Sequence, residues 1–186
     1  QVNLFEASTL THQVNGHPLR LHMQTAFPYN NEVSIEVSCD APLDACLEIR
    51  VPGWATQALA VKMNGERVAT GKPGTYIKLQ RVWKAGDKIE FTLPASFRTT
   101  QYVGMESGFE SGHYALEYGP VLMAAVCTKD NTEPFVPCLA KEITSKLRPV
   151  SGKPLHFTVA GCDDIEFMPY YEVEGQAFSN FPAYLF

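Results

Sequence analysis

Between Leu19 and Pro94 the chain repeats one device: apolar and polar residues alternate in short runs, and a turn signal ends each run. Leu19-Arg20-Leu21-His22-Met23-Gln24 predicts a strand that turns Leu19, Leu21 and Met23 to a core and the other three to solvent. A turn at Pro28-Tyr29-Asn30-Asn31 precedes Val33, Ile35 and Val37, which repeat the pattern in β-branched residues. After a loop over 40–44, Leu47, Ile49 and Val51 point inward, and Pro52-Gly53 stops that strand. Leu59, Val61 and Met63 form one arm of a hairpin closed by Asn64-Gly65, where both residues tolerate the positive φ of a type I′ turn. Ile77 and Leu79 continue in phase, but Val82 does not, so a β-bulge is expected near Arg81-Val82. Gly86-Asp87 then turns the chain into Ile89, Phe91 and Leu93, and Pro94 ends the run. Residues 46–94 hold the densest patterning and both tryptophans, and they read as the central meander of a β-sandwich.

The flanks are less regular. Residues 1–18 open with Leu4-Phe5 and a polar stretch before the Asn15-Gly16 turn. The glycine- and serine-rich VGMESGFESGH at 103–113 lacks alternation and reads as a boundary. Beyond it, the unbroken apolar run at 121–127 predicts a strand buried on both faces. One short helix is expected over 139–147, with further strands at 155–159 and at the aromatic 181–186. The expected fold is therefore all-β: an antiparallel, jelly-roll-like β-sandwich in two small packed domains. They would cover 1–103 and 114–186, the second smaller and docked on the first, with a linker at 104–113.

Composition narrows the partners. Residues 1–100 carry 10 Lys and Arg against 9 Asp and Glu, while 101–186 carry 5 against 11, which accounts for the net charge of −5. Neither half has a basic stripe, so no nucleic-acid partner is expected. No apolar run approaches the roughly 20 residues needed to span a bilayer, so no membrane partner is expected either. Five cysteines at irregular spacing resemble neither a disulfide scaffold nor a zinc site. Cys39 and Cys46 flank a hairpin loop, but their strand parities send them to opposite faces, so free thiols are expected.

Candidate chemistry is sparse, since no catalytic elbow, metalloprotease helix motif or phosphate loop is present. Glu106, Glu110 and His113 could gather a cation or act as acid and base, but a glycine-rich loop gives no rigid placement and a solvated linker is the simpler account. Asp163, Asp164 and Glu166 offer oxygens for calcium, yet neighbouring strand carboxylates point to opposite faces. His22 faces outward and reads as a surface residue. Trp54, Tyr76 and Trp83 are the carbohydrate-contact candidates, because sugar C–H faces stack on aromatic rings. The competing account has Trp54 and Trp83 covering the ends of the sandwich core.

Several blocks together carry a resemblance. Leu47-Glu48-Ile49-Arg50-Val51-Pro52-Gly53-Trp54, Val61-Lys62-Met63-Asn64-Gly65-Glu66 and Gly74-Thr75-Tyr76-Ile77 occur in order. Arg81-Val82-Trp83-Lys84-Ala85-Gly86-Asp87, Ala115-Leu116-Glu117-Tyr118-Gly119-Pro120 and Met168-Pro169-Tyr170-Tyr171 follow, with Thr25-Ala26-Phe27-Pro28 a weaker match ahead of them all. The set resembles the C-terminal β-sandwich region of the β-L-arabinofuranosidase family of glycoside hydrolases, family 127 and relatives.

The resemblance implies a non-catalytic portion that braces an upstream (α/α)6 barrel, the partner expected in the parent protein. In that family a cysteine nucleophile acts beside zinc inside the barrel. This chain has no adjacent Cys-Cys pair and no Glu-x-Cys, so none of its cysteines matches those positions, and no cofactor is expected in the chain itself. A sizeable exposed apolar face is expected where the barrel docks, with oligomer formation through it as a consequence. Relatives are largely bacterial and degrade plant polysaccharides and glycoproteins, which favours a periplasmic or secreted parent over a cytoplasmic one. The alternatives are an independent carbohydrate-binding module and a structural, adhesin-like sandwich.

Overall fold

The structure, a computed structural model, describes residues 1–102, 113–127 and 140–173. Two compact units divide between Ala95 and Ser96.

In the first unit eight strands follow in order: β1 (Ser8–Val14), β2 (His17–Thr25), β3 (Glu32–Cys39), β4 (Leu43–Arg50), β5 (Leu59–Met63), β6 (Glu66–Gly71), β7 (Tyr76–Trp83) and β8 (Lys88–Thr92). Six of them form one sheet in the order β1-β2-β3-β8-β5-β6, and β4 pairs with β7 in a second sheet. Every strand pair is antiparallel. Period-two patterning places the core between the two sheets. Met23, Ile35, Ile89 and Met63 lie side by side across the larger sheet. Facing them in the same cluster are Leu47, Ile49, Ile77, Leu79 and Trp83 of the smaller sheet. This is an antiparallel β-sandwich. The β5–β6 hairpin turns at Asn64 (φ 51°) and Gly65 (φ 88°), the positive-φ pair that a type I′ turn requires.

One expectation fails here. Pairing of β4 with β7 runs without interruption from Leu43↔Trp83 to Arg50↔Tyr76, so there is no bulge at Arg81-Val82. Val82 instead faces outward at 48% exposure, and Arg81 takes the inward parity. A buried-side arginine is tolerated because its guanidinium lies 3.8 Å from Asp87 and 5.5 Å from the centroid of the Trp83 ring. The register shifts at Val61/Lys62, between β5 and β6. Two other strand limits also differ from expectation. β1 is a strand although six of its seven residues are exposed, and β4 already begins at Leu43.

Gly71 marks the place where the chain leaves β6 for the smaller sheet. A Cβ built there would lie 2.5 Å from Ile77 and 2.8 Å from Val51, so only glycine fits this approach. Val2 adds a parallel bridge to Ile49 at the edge of β4, through Val2 N–H to Glu48 O and Arg50 N–H to Val2 O.

The second unit is one antiparallel sheet. Its strands are β9 (Phe97–Tyr102), β10 (His113–Tyr118), β11 (Val121–Cys127), β12 (Leu147–Pro149), β13 (Phe157–Val159) and β14 (Cys162–Pro169). They are ordered β12-β13-β14-β11-β10-β9. Helix α1 (Ala140–Lys146) contributes Ile143 to a core with Leu116, Met123, Ala125, Ile165 and Phe167. Strand β9 pairs with β10, which places 97–102 in this unit and not in the first. The expected linker at 104–113 lies outside the described residues apart from the His113 end of β10, and so does the aromatic segment at 181–186. The strand at 121–127 is buried at Val121, Met123, Ala124 and Ala125, as its unbroken apolar run predicts.

Candidate functional site

The three aromatic candidates do not converge. Tyr76 and Trp83 stand at opposite ends of β7, about 23 Å apart along the strand, and on opposite faces. Trp83 is 0% exposed and donates from its indole N–H to the Ala45 carbonyl at 2.9 Å, so it has no free ring face to offer a ligand. Tyr76 is 41% exposed and donates its hydroxyl to Asn3 Oδ1 at 2.9 Å. Trp54 packs against the core and stacks on Phe27, with centroids 5.6 Å apart and planes 4° from parallel.

The remaining candidates are dispersed. His22 is exposed on β2, with Nδ1 2.9 Å from the Thr9 hydroxyl and Nε2 3.2 Å from the Gln24 amide nitrogen. Glu106, Glu110 and the side chains of His113 and Asp163 lie outside the described residues. Asp164 is half-buried, and Glu166 is engaged by Lys153 and His156. No group of three His, Cys, Asp or Glu among the described residues is placed to hold a metal ion. Cys39 and Cys46 are free thiols. Cys39 Sγ approaches the Trp83 carbonyl at 3.8 Å, while Cys46 lies opposite Gln80 on the outer face of β4. The described residues therefore do not fit a zinc site.

Two polar networks escaped the sequence reading. In the first, Asp87 is only 7% exposed. Its Oδ1 accepts from the Asn64 amide at 3.0 Å, its Oδ2 accepts from the Lys84 N–H at 3.0 Å, and Arg81 stands beyond. Burial pushes this carboxyl up, but those donors and the neighbouring cations outweigh it and hold it below the usual range. Asn64 Oδ1 in turn accepts from the Lys88 N–H at 2.8 Å. Both turns were visible in the sequence, but nothing local signals that one binds the other. The second network joins His156, Glu166, Glu172 and Lys153 in the second unit.

A groove of about 840 Å³ lies on the solvent face of the six-stranded sheet. Its floor follows one cross-strand row, Gln24–Ser34–Glu90–Lys62–Arg67, that spans five strands. Ala26, Ala58 and Ala60 keep it open, and Asn30 and Gln57 add planar hydrogen-bonding groups at its sides. None of Trp54, Tyr76 and Trp83 lines it.

Residues 1–95 match the family model described as Beta-L-arabinofuranosidase, GH127 middle domain, over more than half of the 186 residues. The chain belongs to this family. The matched residues coincide with the first structural unit, so the sandwich is the GH127 middle domain. Among solved structures, the chain is similar to a GH127 beta-L-arabinofuranosidase from Geobacillus stearothermophilus T6, at 25% identity and a TM-score of 0.59 over 70% of this chain and 20% of that one. A structure described as a glycoside hydrolase shares the fold at 20% identity and a TM-score of 0.63, covering 91% of this chain and 32% of that one. A further GH127 beta-arabinofuranosidase shares it at 23% identity and a TM-score of 0.55, over 67% and 22%. No curated protein matches. The chain thus spans between a fifth and a third of the length of these structures. Within the GH127 domain, the Leu47–Trp54 block is β4 with its following turn. The Asn64-Gly65 and Gly86-Asp87 motifs are the two ends of the Asp87 network.

Proposed function

We propose that this chain is a non-catalytic accessory portion of a glycoside hydrolase of the β-L-arabinofuranosidase type, and that its sandwich braces the catalytic (α/α)6 barrel of the parent protein. The observation that carries this reading is the agreement between the GH127 middle-domain match and one self-contained structural unit. The use of charged groups supports it. Asp87 is engaged by Asn64, Lys84 and Arg81, and Glu166 by His156 and Lys153, so neither carboxylate is free to act on a substrate. Two measurements test the proposal. The chain alone, with or without zinc, should give no turnover of an aryl β-L-arabinofuranoside. Added to a barrel fragment of a family member that lacks this region, it should raise that fragment's Tm. Turnover by the isolated chain, or no shift on mixing, would overturn it.

A second reading, carbohydrate binding, is favoured by the groove. Its acidic and basic groups nearly balance, and its planar polar side chains suit neutral hydroxylated ligands better than strongly charged ones. Titration with arabino-oligosaccharides, comparing wild type with Ala60→Trp, separates the readings. Ala60 faces the groove and not the core, so the bulky variant should abolish binding while leaving the fold intact.

A further inference from the structure

His156 is held between two carboxylates, one on each ring nitrogen. Its Nδ1 lies 2.5 Å from Glu166 Oε1 and its Nε2 lies 2.8 Å from Glu172 Oε2, with the side chain only 12% exposed. An ionised carboxylate can only accept. A neutral imidazole has a single N–H, so it could satisfy one partner while turning a lone pair toward the other. The imidazolium alone donates to both.

The two carboxylates belong to different parts of the unit. Glu166 sits on β14, between β13 and β11, and is also held by Lys153 Nζ at 3.1 Å. Glu172 ends the 3-10 turn Tyr170–Glu172, which follows β14 directly. No residue of that turn is buried and no side chain caps it, so burial of its own side chains does not anchor it. It presents two consecutive rings to solvent, Tyr170 at 44% and Tyr171 at 57% exposure.

We infer that protonated His156 is a latch fastening the Tyr170–Glu172 turn, and with it the exposed tyrosine pair, to the sheet, and that loss of its proton loosens the turn. The groups facing the ring among the described residues are Glu166 from β14, Glu172 from the turn and Lys153 from the connection before β13. Glu166 is flanked across the sheet by Thr158 and Val126, which carry no charge. Arg148, one strand further out, donates to the Ser145 and Leu147 carbonyls. Burial pushes the imidazolium's pKa down, but the Glu172 and Glu166 carboxylates outweigh it and hold it above the usual 6.5. Burial likewise pushes Glu166 up, and hydrogen bonds from His156 and Lys153 more than reverse that. The raised histidine makes the latch fully present below pH 6.5 and lost as pH rises through the higher folded value. The tyrosine pair is thereby a surface whose placement depends on pH, fixed just below pH 6.5 while both carboxylates stay ionised and loosened as pH rises through the higher folded value.

The full chain tests this. The His156 imidazole, followed by NMR, should titrate above 6.5, with both ring N–H protons observable below that value. Chymotryptic cleavage at Tyr170 and Tyr171, normalised to a peptide substrate at each pH, should rise about tenfold as the ring deprotonates, since a charge-assisted hydrogen bond is lost. In Glu172→Gln and His156→Gln the cleavage should be fast at all pH values. A histidine titrating at or below 6.5 would overturn the inference. So would wild-type cleavage that matches Glu172→Gln throughout. The NMR measurement needs no variant, so a misfolded substitution leaves the test intact.

Discussion

Asn64 Nδ2 donates a 3.0 Å hydrogen bond to Oδ1 of Asp87, which joins two turns separated by 23 residues. The same Asn64 side chain accepts from the Lys88 N–H, so a single amide closes the β5–β6 hairpin against the entry to β8. Asn64→Ala removes both bonds and leaves Asp87 short of a donor. It should cost about 1.5–3 kcal/mol, the range for hydrogen bonds to a charged group. Denaturant unfolding of the chain should show that loss as a lower midpoint with an unchanged slope.

Asp87 also gives the first unit an acid limit. Its carboxyl is held below the ordinary 3.8, so its contribution is present above that value and is lost as pH falls through the lower folded one. Asp87→Asn should be less stable than wild type at neutral pH. The two melting temperatures should begin to draw together as pH falls below 3.8 and meet only below the lower folded value. A difference that stays constant across that window would exclude the carboxylate as the source.

The two aromatic ends of β7 should behave oppositely. Trp83→Ala opens a cavity in the core and strands the Ala45 carbonyl, for a cost of about 3–5 kcal/mol. Tyr76→Phe loses one exposed hydrogen bond and should stay within about 0.5 kcal/mol of wild type. Thermal melts of the two variants, run side by side, check both values.

Gly71→Ala should destabilise by about 1–3 kcal/mol, because its Cβ would overlap Ile77 of the smaller sheet and Val51 just after β4. Removing the obstacle with Ile77→Ala in the same chain should make the double variant lose less than the sum of the two single losses. Additive losses in the double variant would count against a steric origin.

Thiol labelling should proceed in a fixed order. Cys46 is exposed on the outer face of β4, while Cys39 is half-buried against the Trp83 carbonyl. A modest excess of an aromatic disulfide reagent should modify Cys46 before Cys39. No bridge between the two should form under mild oxidation, because their strand parities separate them.

Much of the sandwich was legible because period two is a strong local signal. Leu19, Leu21 and Met23, then Val33, Ile35 and Val37, occupy the inner face as their alternation requires. Sheet order was not legible. That β8 pairs with both β3 and β5 depends on contacts far apart in sequence. Strand β1 was missed because Leu10 and Val14 are the only large apolar residues of Ser8–Val14, too few to give a periodic signal. The bulge expected at Val82 was wrong because a stabilised arginine can hold an inward position that apolar patterning reserves for valine. For the candidate sites, parity alone already separates Tyr76 from Trp83. The His156 cluster draws on partners 10 and 16 residues away at no recognisable spacing, so only the folded chain brings it together.

Strand β1 closes the larger sheet on one side with β2 as its only neighbour among the described strands. Its outer amides pair with no described strand, and six of its seven side chains contribute nothing to the core. At the sheet centre, Val37 and Ile89 are 0% exposed and Ile35 is 1% exposed. The sheet therefore has a soft margin and a hard middle. Amide protons along Ser8–Val14 should exchange with solvent through local fraying, while those of β3 and β8 wait for the whole unit to open. An insertion or tag is accordingly best tolerated along that margin and worst at the centre.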